Sequence, residues 1–276
     1  MLKKNVLISA LIILLCVSIC YSMIFDGYSV AQPSEGNMIY VNINGGSNFT
    51  TIQDAIDAAE DGDTIYVYGG VYNENIVIDK RINLVGEDVD SVILDGQGQG
   101  DVIKLTGSSN FVNITGFTVQ NSGNQYYDSG ININSDYNTI AGNIIMDCNN
   151  GIYLDFWGHN CKIYSNTIKD SIYGIIVYSV APNNNVIYHN DFINNYINAY
   201  DDSNSYWDNA GEGNYWDDYM GSDDNGDGIG DTPYLVSGGN AKDNYPLIEP
   251  NETPGFELLL ILIVISILVI IKKRNN

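Results

Sequence analysis

Gly130-Ile131-Asn132-Ile133, Gly151-Ile152-Tyr153-Leu154 and Gly174-Ile175-Ile176-Val177 recur down the middle of the chain, with a degraded fourth copy at Tyr196-Ile197-Asn198-Ala199. A second column runs beside it: Ile140-Ala141-Gly142-Asn143-Ile144-Ile145, Ile163-Tyr164-Ser165-Asn166-Thr167-Ile168 and Ile187-Tyr188-His189-Asn190-Asp191-Phe192, continued by Asn214-Tyr215-Trp216. Upstream, Ile114-Thr115-Gly116-Phe117-Thr118-Val119 fits the same column with Phe117 at the Asn position. The period is 21 to 24 residues and apolar residues alternate without helical spacing, the signature of a solenoid of short strands. A leucine-rich repeat would need recurring Leu and a helical or extended return segment, whereas Ile and Val recur here with Asn and Gly at the corners. The fold class is therefore all-β, a single-stranded parallel β-helix whose coils stack about 4.8 Å apart. Asn143, Asn166, Asn190 and Asn214 then lie above one another, where their amides can bond into a ladder.

Toward the N-terminus, Met38 to Val41 reads as a first strand. Thr51 to Ala59 carries apolar residues at helical spacing and predicts one short helix capping the open end of the solenoid. Asp61-Gly62-Asp63 makes a turn, and Thr64 to Tyr68, Ile76 to Ile78 and Ile82 to Gly86 supply the first coils. These residues carry a resemblance. Thr51-Ile52-Gln53-Asp54-Ala55-Ile56, Gly62-Asp63-Thr64-Ile65, Gly70-Val71-Tyr72-Asn73-Glu74 and Leu94-Asp95-Gly96 resemble the start of pectin-lyase-like β-helices, which are right-handed. The coils from Gly130 to Trp216, with the tail Gly213-Asn214-Tyr215-Trp216 through Asp231-Thr232-Pro233-Tyr234, resemble the NosD-type β-helix domain. That second resemblance implies copper handling in the maturation of nitrous-oxide reductase. Copper takes His, Met and Cys ligands. His159, His189, Met146, Cys148 and Cys161 form no tight ligand motif, so copper is not expected as a cofactor.

Of the 276 residues, 45% are apolar and 16% charged, and 34 acidic against 11 basic side chains give a net charge of −23. Such a chain can bury a core and repels phosphate backbones, which excludes nucleic acid as a partner. Lys3 and Lys4, an apolar run from Val6 to Ile19 and Ser29-Val30-Ala31 predict a signal peptide over 1–31. Residues 32–235 are expected to form the β-helix with a calcium-loop cap at its C-terminal end, 236–254 a linker, and 255–274 a transmembrane or sorting segment ending in Lys272-Lys273-Arg274. The apolar run Leu258 to Ile271 spans about 21 Å as a helix, short for a hydrocarbon core of roughly 30 Å. With Pro254-Gly255-Phe256 it resembles the PGF-CTERM signal read by archaeosortases, which implies an archaeal host and a cell-surface protein held to the membrane by this segment or by lipid. Between the two ends, residues 32–254 keep six basic and 32 acidic side chains, a charge of −26. Asn48, Asn113 and Asn251 head glycosylation sequons. Two cysteines remain there, Cys148 and Cys161, as a disulfide or as buried thiols.

The strongest site signal is Asp223 to Asp231. With Asp223 as position 1, Asp223, Asn225, Asp227 and Asp231 offer oxygens at positions 1, 3, 5 and 9, Gly228 makes the sharp turn, and Ile229 offers its carbonyl at position 7 of a calcium loop. Tyr234 stands at position 12 in place of the bidentate Glu, so the expectation is a weak, structural calcium site of about 0.1 to 1 mM. Beside it lie Tyr206, Trp207, Tyr215, Trp216 and Tyr219, candidates either for stacking on a sugar ring or for covering the last coil. No catalytic residues stand out: Asp201-Asp202 is a bare pair, Gly158-His159-Asn160 a partial motif, and Arg81 the one Arg between the two ends. The expected role is non-catalytic: binding of extracellular or envelope polysaccharide or another surface partner, or envelope structure. A polysaccharide lyase or hydrolase is the first alternative and a copper-handling accessory protein the second. A face lined by Tyr and Asn would favour binding, and two or three carboxylates beside a base would favour catalysis.

Overall fold

The computed structural model describes residues 36–178 and 183–251; the signal sequence expected at 1–31 and the segment expected at 255–274 lie outside them. Short parallel strands wind into a right-handed β-helix of about seven turns. Among the described residues its three sheets hold seven, seven and six strands. The first sheet runs from Met38–Val41 to Val186–Tyr188, the second from Gly70–Tyr72 to Tyr215–Trp216, and the third from Ile76–Ile78 to Ile197–Asp201.

Alternation along each strand sends every second side chain inward, and register stacks these into columns. Leu84, Ile114, Ile140, Ile163 and Ile187 form one. Leu94, Val119, Ile145, Ile168, Phe192 and Trp216 form another. Ile103, Ile131, Ile152, Ile175 and Ala199 form the third. All are buried. The recurrent glycine has a steric cause: a Cβ on Gly151 would lie 2.5 Å from the Gly174 carbonyl oxygen of the next coil, and one on Gly130 2.8 Å from that of Gly151. The fourth copy sits two residues away from the sequence alignment, since Ala199, not Ile197, stacks on Ile175. A slip of two keeps every side chain on its own face, so alternation alone does not detect it.

Left-handed backbone turns the corners in columns: Gln97, Asn121, Asp147, Asp170 and Asn194 at one edge, and Phe111, Tyr137, Asn160, Asn184 and Asn204 at another. Asn and Asp tolerate this conformation best among side-chain-bearing residues, which accounts for the Asn and Asp at these corners. The ladder expected from the sequence is present. The backbone N–H and Nδ2 of Asn143 donate to Asn166 Oδ1, both at 3.1 Å. Asn166 repeats the pair onto Asn190, and Asn190 onto Asn214. Phe117, at the head, gives its backbone N–H to Asn143 Oδ1.

Helix Ile52–Ala58 caps the N-terminal end, its buried Ile52, Ala55 and Ile56 facing the solenoid. Thr51 caps it, and the Glu74 carboxylate accepts from the Ile52 and Gln53 N–H groups at 2.9 and 3.0 Å, placing negative charge at the positive end of the helix. At the other end, the stretch expected as a linker is part of the fold as far as residue 251. Val236, Ala241 and Asp243 are buried, and strands Tyr234–Leu235 and Lys242–Asp243 pair antiparallel. The reason is the ladder. Its last rung, Asn214, donates its backbone N–H to Asp243 Oδ2 at 2.7 Å, so the final amide is paired by a residue beyond the coils.

Candidate functional site

The third sheet carries the candidate site on its outer face. Register places Lys104, Asn132, Tyr153, Ile176 and Tyr200 in one outward row. The loop before strand Ser129–Ile133 adds Tyr126 and Tyr127, and Tyr178 follows strand Tyr173–Val177. Asn149 and Asn150 hold that loop: Asn149 Nδ2 donates to the Gln125 carbonyl at 3.0 Å, and Asn150 Nδ2 to the Tyr126 and Asp128 carbonyls at 2.8 and 2.9 Å.

The rings form a continuous row. Centroids lie 4.9 Å apart for Tyr126 and Tyr127, 5.8 Å for Tyr127 and Tyr153, 6.0 Å for Tyr153 and Tyr178, and 5.4 Å for Tyr178 and Tyr200. The Tyr126 and Tyr178 hydroxyls meet at 2.7 Å, tying the loop across the sheet. Tyr127 is 61% exposed while Tyr153 is 2% exposed, so the row offers rings to solvent from a packed base. Burial, with nearby Asp155, pushes the Tyr153 hydroxyl well above its usual range. The bond to Tyr126, then burial, does the same for Tyr178. Both stay neutral donors.

Asp101 sits at the N-terminal end of the row. It accepts from Ser129 N–H and Oγ at 3.0 and 2.8 Å and from Asn132 Nδ2 at 3.1 Å, with Lys104 Nζ at 3.7 Å. Burial lifts its carboxyl above the ordinary value against the pull of these donors. Among the described residues, three buried side-chain polar atoms lack a hydrogen-bond partner: Oδ1 of Asn132, Asn134 and Asn150. All three belong to two consecutive coils of this region.

The residues singled out from sequence divide differently. Trp207 and Trp216 are fully buried and present no face to a sugar, because each indole N–H is held by a buried carboxylate. Trp207 Nε1 donates to Asp201 Oδ2 and Trp216 Nε1 to Asp243 Oδ2, both at 2.9 Å. Phe192, Trp216 and Tyr234 stack in parallel, 4.4 and 4.0 Å apart. Tyr206 is 60% exposed, Tyr215 and Tyr219 half-buried. Asp201 is thus an internal hydrogen-bond acceptor, also taking the Ser203 and Ser205 N–H groups.

In the loop 223–231, Asp223 accepts the N–H groups of Gly226, Asp227 and Gly228, and Asp231 that of Asp224. Asn225 and Asp227 bond each other at 3.0 Å. Among the described residues, no three His, Cys, Asp or Glu side chains converge as a metal cluster. Asn48 is exposed; Asn113 is exposed on the first sheet with Nδ2 on Asn83 Oδ1; Asn251 bonds the His189 carbonyl and Asp191. Cys148 and Cys161 are buried free thiols, pushed by burial up to about 11 and about 12.

The tyrosine row was not read from the sequence. Its one visible trace was Tyr153, at the outward position of a repeat that elsewhere holds Asn132 and Ile176.

The fold defines a right-handed parallel β-helix protein. Solved structures with this architecture include pectin methylesterase from carrot (15% identity, 64% of this chain and 73% of that one, TM-score 0.41). The alginate lyase of Paenibacillus sp. str. FPU-7 matches at 16% identity over 61% and 66%, TM-score 0.45. Pectin methylesterase PemA from Erwinia chrysanthemi matches at 13% over 67% and 66%, TM-score 0.44. The chain spans roughly two thirds to three quarters of their lengths, and the likeness is one of fold. A comparison with curated protein sequences finds no match. The model of a family described as periplasmic copper-binding protein (NosD) matches residues 26–221, and the chain belongs to the NosD family.

The described residues do not fit copper. No three His, Cys, Asp or Glu side chains among them converge, and His159 and His189 lie instead beside Asp136, at 2.9 Å, and Glu212, at 3.8 Å. The Cys148 and Cys161 thiols contact backbone carbonyls in the interior, where burial disfavours the thiolate that would bind metal.

Proposed function

We propose that the chain is an exported, surface-held NosD-family protein that binds carbohydrate along the tyrosine-lined face of its third sheet without cleaving it. The exposed Tyr127 and the half-buried Tyr178 and Tyr200, packed around the buried Tyr153, carry this reading, because rings fixed on a rigid sheet suit the rings of an extended saccharide. Rigid tyrosines also lose little entropy on binding. The acid at the N-terminal end of the row is not free for catalysis. Asp101 has both carboxylate oxygens bonded, and its neighbour Lys104 is a single ammonium beside it.

The reading extends to the ends of the chain: the leader directs export, and the C-terminal apolar segment or a lipid replacing it holds the protein at the membrane. Calcium belongs to the same proposal as a structural ion of loop 223–231, its oxygens coming from Asp223, Asn225, Asp227, Ile229 and Asp231. The full-length protein, purified in detergent, tests the function by retention on a panel of insoluble polysaccharides with mass spectrometry of the supernatant. Retention without new oligosaccharides is expected, weakened in Tyr127→Ala. New oligosaccharides would overturn the non-catalytic reading, and retention of no polysaccharide would overturn the binding one.

A further inference from the structure

The three unpaired amide oxygens point to the kind of chain this face takes. Neither Asn132 nor Asn150 can turn its amide round to find a partner. The Nδ2 of Asn132 is needed by the Asp101 carboxylate, and that of Asn150 by the Tyr126 and Asp128 carbonyls. Turning either would set oxygen against oxygen. Both residues are more than nine-tenths buried, Asn132 at 6% and Asn150 at 0% exposure. A native interior rarely leaves such groups unmatched, and what matches an acceptor is a donor.

We infer that the face binds a neutral polyhydroxyl chain, a glycan without carboxylate groups, one of whose hydroxyls donates to Asn132 Oδ1 while its ring C–H face stacks on Tyr127. This rests on the carbohydrate-binding reading and narrows it. A uronic-acid polymer would bring acceptors to acceptors and negative charge to Asp101 and Asp155, on a chain of net charge −23. The nearby ammonium, Lys104, already faces Asp101 at 3.7 Å. Asn132 lies between Lys104 and Tyr153 in register, and Tyr127 packs on Tyr153. Lys104 and Tyr127 have exposed side chains, so the row on either side of Asn132 is open to solvent.

The test uses the full-length protein in detergent with soluble dextran and glucomannan as neutral probes and polygalacturonate and alginate as acidic ones, by affinity electrophoresis at 0.15 M salt. Asn132→Ala is the main variant: the position faces outward and Asp101 keeps both Ser129 bonds, so its melting curve should stay close to wild type. Tyr127→Ala is the second. A neutral probe should be retained and the acidic ones not, with Asn132→Ala weakening retention about tenfold, the equivalent of one hydrogen bond. Retention of the acidic probes instead, lost in Tyr127→Ala, would overturn the ligand class and leave the binding face standing. Neutral binding lost in Tyr127→Ala but untouched by Asn132→Ala would overturn the part given to Asn132. Retention of none, or retention indifferent to both variants, would overturn the binding reading and this inference with it.

Discussion

Replacing Asn166 by Ala removes the centre of the ladder. Its Oδ1 accepts the backbone N–H and Nδ2 of Asn143, each at 3.1 Å. Its Nδ2 reaches the carbonyls of Ile140 and Tyr164 at 2.9 and 3.1 Å and Asn190 Oδ1 at 3.0 Å. In Asn166→Ala the Asn143 N–H is stranded in a dry corner, because the residue is 1% exposed and no solvent reaches it. One orphaned buried donor costs about 1 to 3 kcal/mol, and the four remaining lost bonds about 0.5 kcal/mol each, since Asn143 Nδ2 keeps two carbonyl partners. The sum is a destabilisation of about 3 to 5 kcal/mol, large for a single neutral side chain. Urea unfolding of the full-length protein reads it out. Of the three tryptophans, Trp207 and Trp216 are buried and Trp157 is 65% exposed, so the fluorescence change on unfolding reports mainly the last coil. A loss below about 1 kcal/mol, no greater than that of Asn44→Ala in an exposed turn, would refute the claim that the ladder stabilises the solenoid.

The carboxylate that clasps Trp207 gives a second test: Asp201→Ala leaves the indole N–H and two serine N–H groups unpaired, and the melting temperature should drop by the equivalent of about 3 kcal/mol. The pH dependence of stability should run opposite to ordinary acid unfolding at first. Burial raises the carboxyls of Asp101, Asp191 and Asp243, so the folded state holds these protons more tightly than the unfolded one. Stability therefore falls as pH rises between the unfolded and folded values and is regained on acidification. Asp95 opposes this: burial pushes it up, but donors from Gln120, Gln97 and Asn121 together hold it below its usual value. A higher melting temperature near pH 4 than at pH 7 is expected, and a lower one would contradict the balance. Cys148 and Cys161 should resist iodoacetamide at pH 8 in the native protein and react once urea unfolds it, as peptide mapping would show. Chelation with EDTA should lower the melting temperature if calcium closes loop 223–231, and an unchanged melting curve would remove calcium from the account.

The inner half of this protein was legible because packing writes it into the sequence twice. Inward positions must be apolar and must stack, so Ile140, Ile163 and Ile187 recur at the coil period, and Asn143, Asn166, Asn190 and Asn214 recur with them. The helix at Ile52–Ala58 was legible for the same reason. The outer face follows no such rule. Lys104, Asn132, Tyr153, Ile176 and Tyr200 share one row without a repeating side-chain type, and Tyr126 reaches it from a loop. For Trp207 and Trp216 the sequence left sugar stacking and covering of the last coil both open, because composition cannot tell a ring that faces solvent from one that closes a core; what decides is a carboxylate in position to take the indole N–H, and Asp243 is 27 residues from Trp216.

That division also explains how one solenoid can hold a specific face. Each coil meets its structural needs inside, through the apolar columns and the amide ladder, and at its corners, through left-handed residues. The outward row is then free to differ from coil to coil without cost to the fold. Phe111 and Tyr137 mark the limit of that freedom, since bulky residues at φ 62° and 60° carry a strain of about 1 to 2 kcal/mol each. Their rings stack 4.9 Å apart and 8° from parallel, which returns part of that strain. Where the outward row needs no such strain, at Asn132 and Tyr153, it departs from the repeat at no conformational cost. The unpaired amide oxygens and the exposed tyrosines fall on those same coils. The fold alone requires neither feature, and a bound polyhydroxyl chain would make use of both.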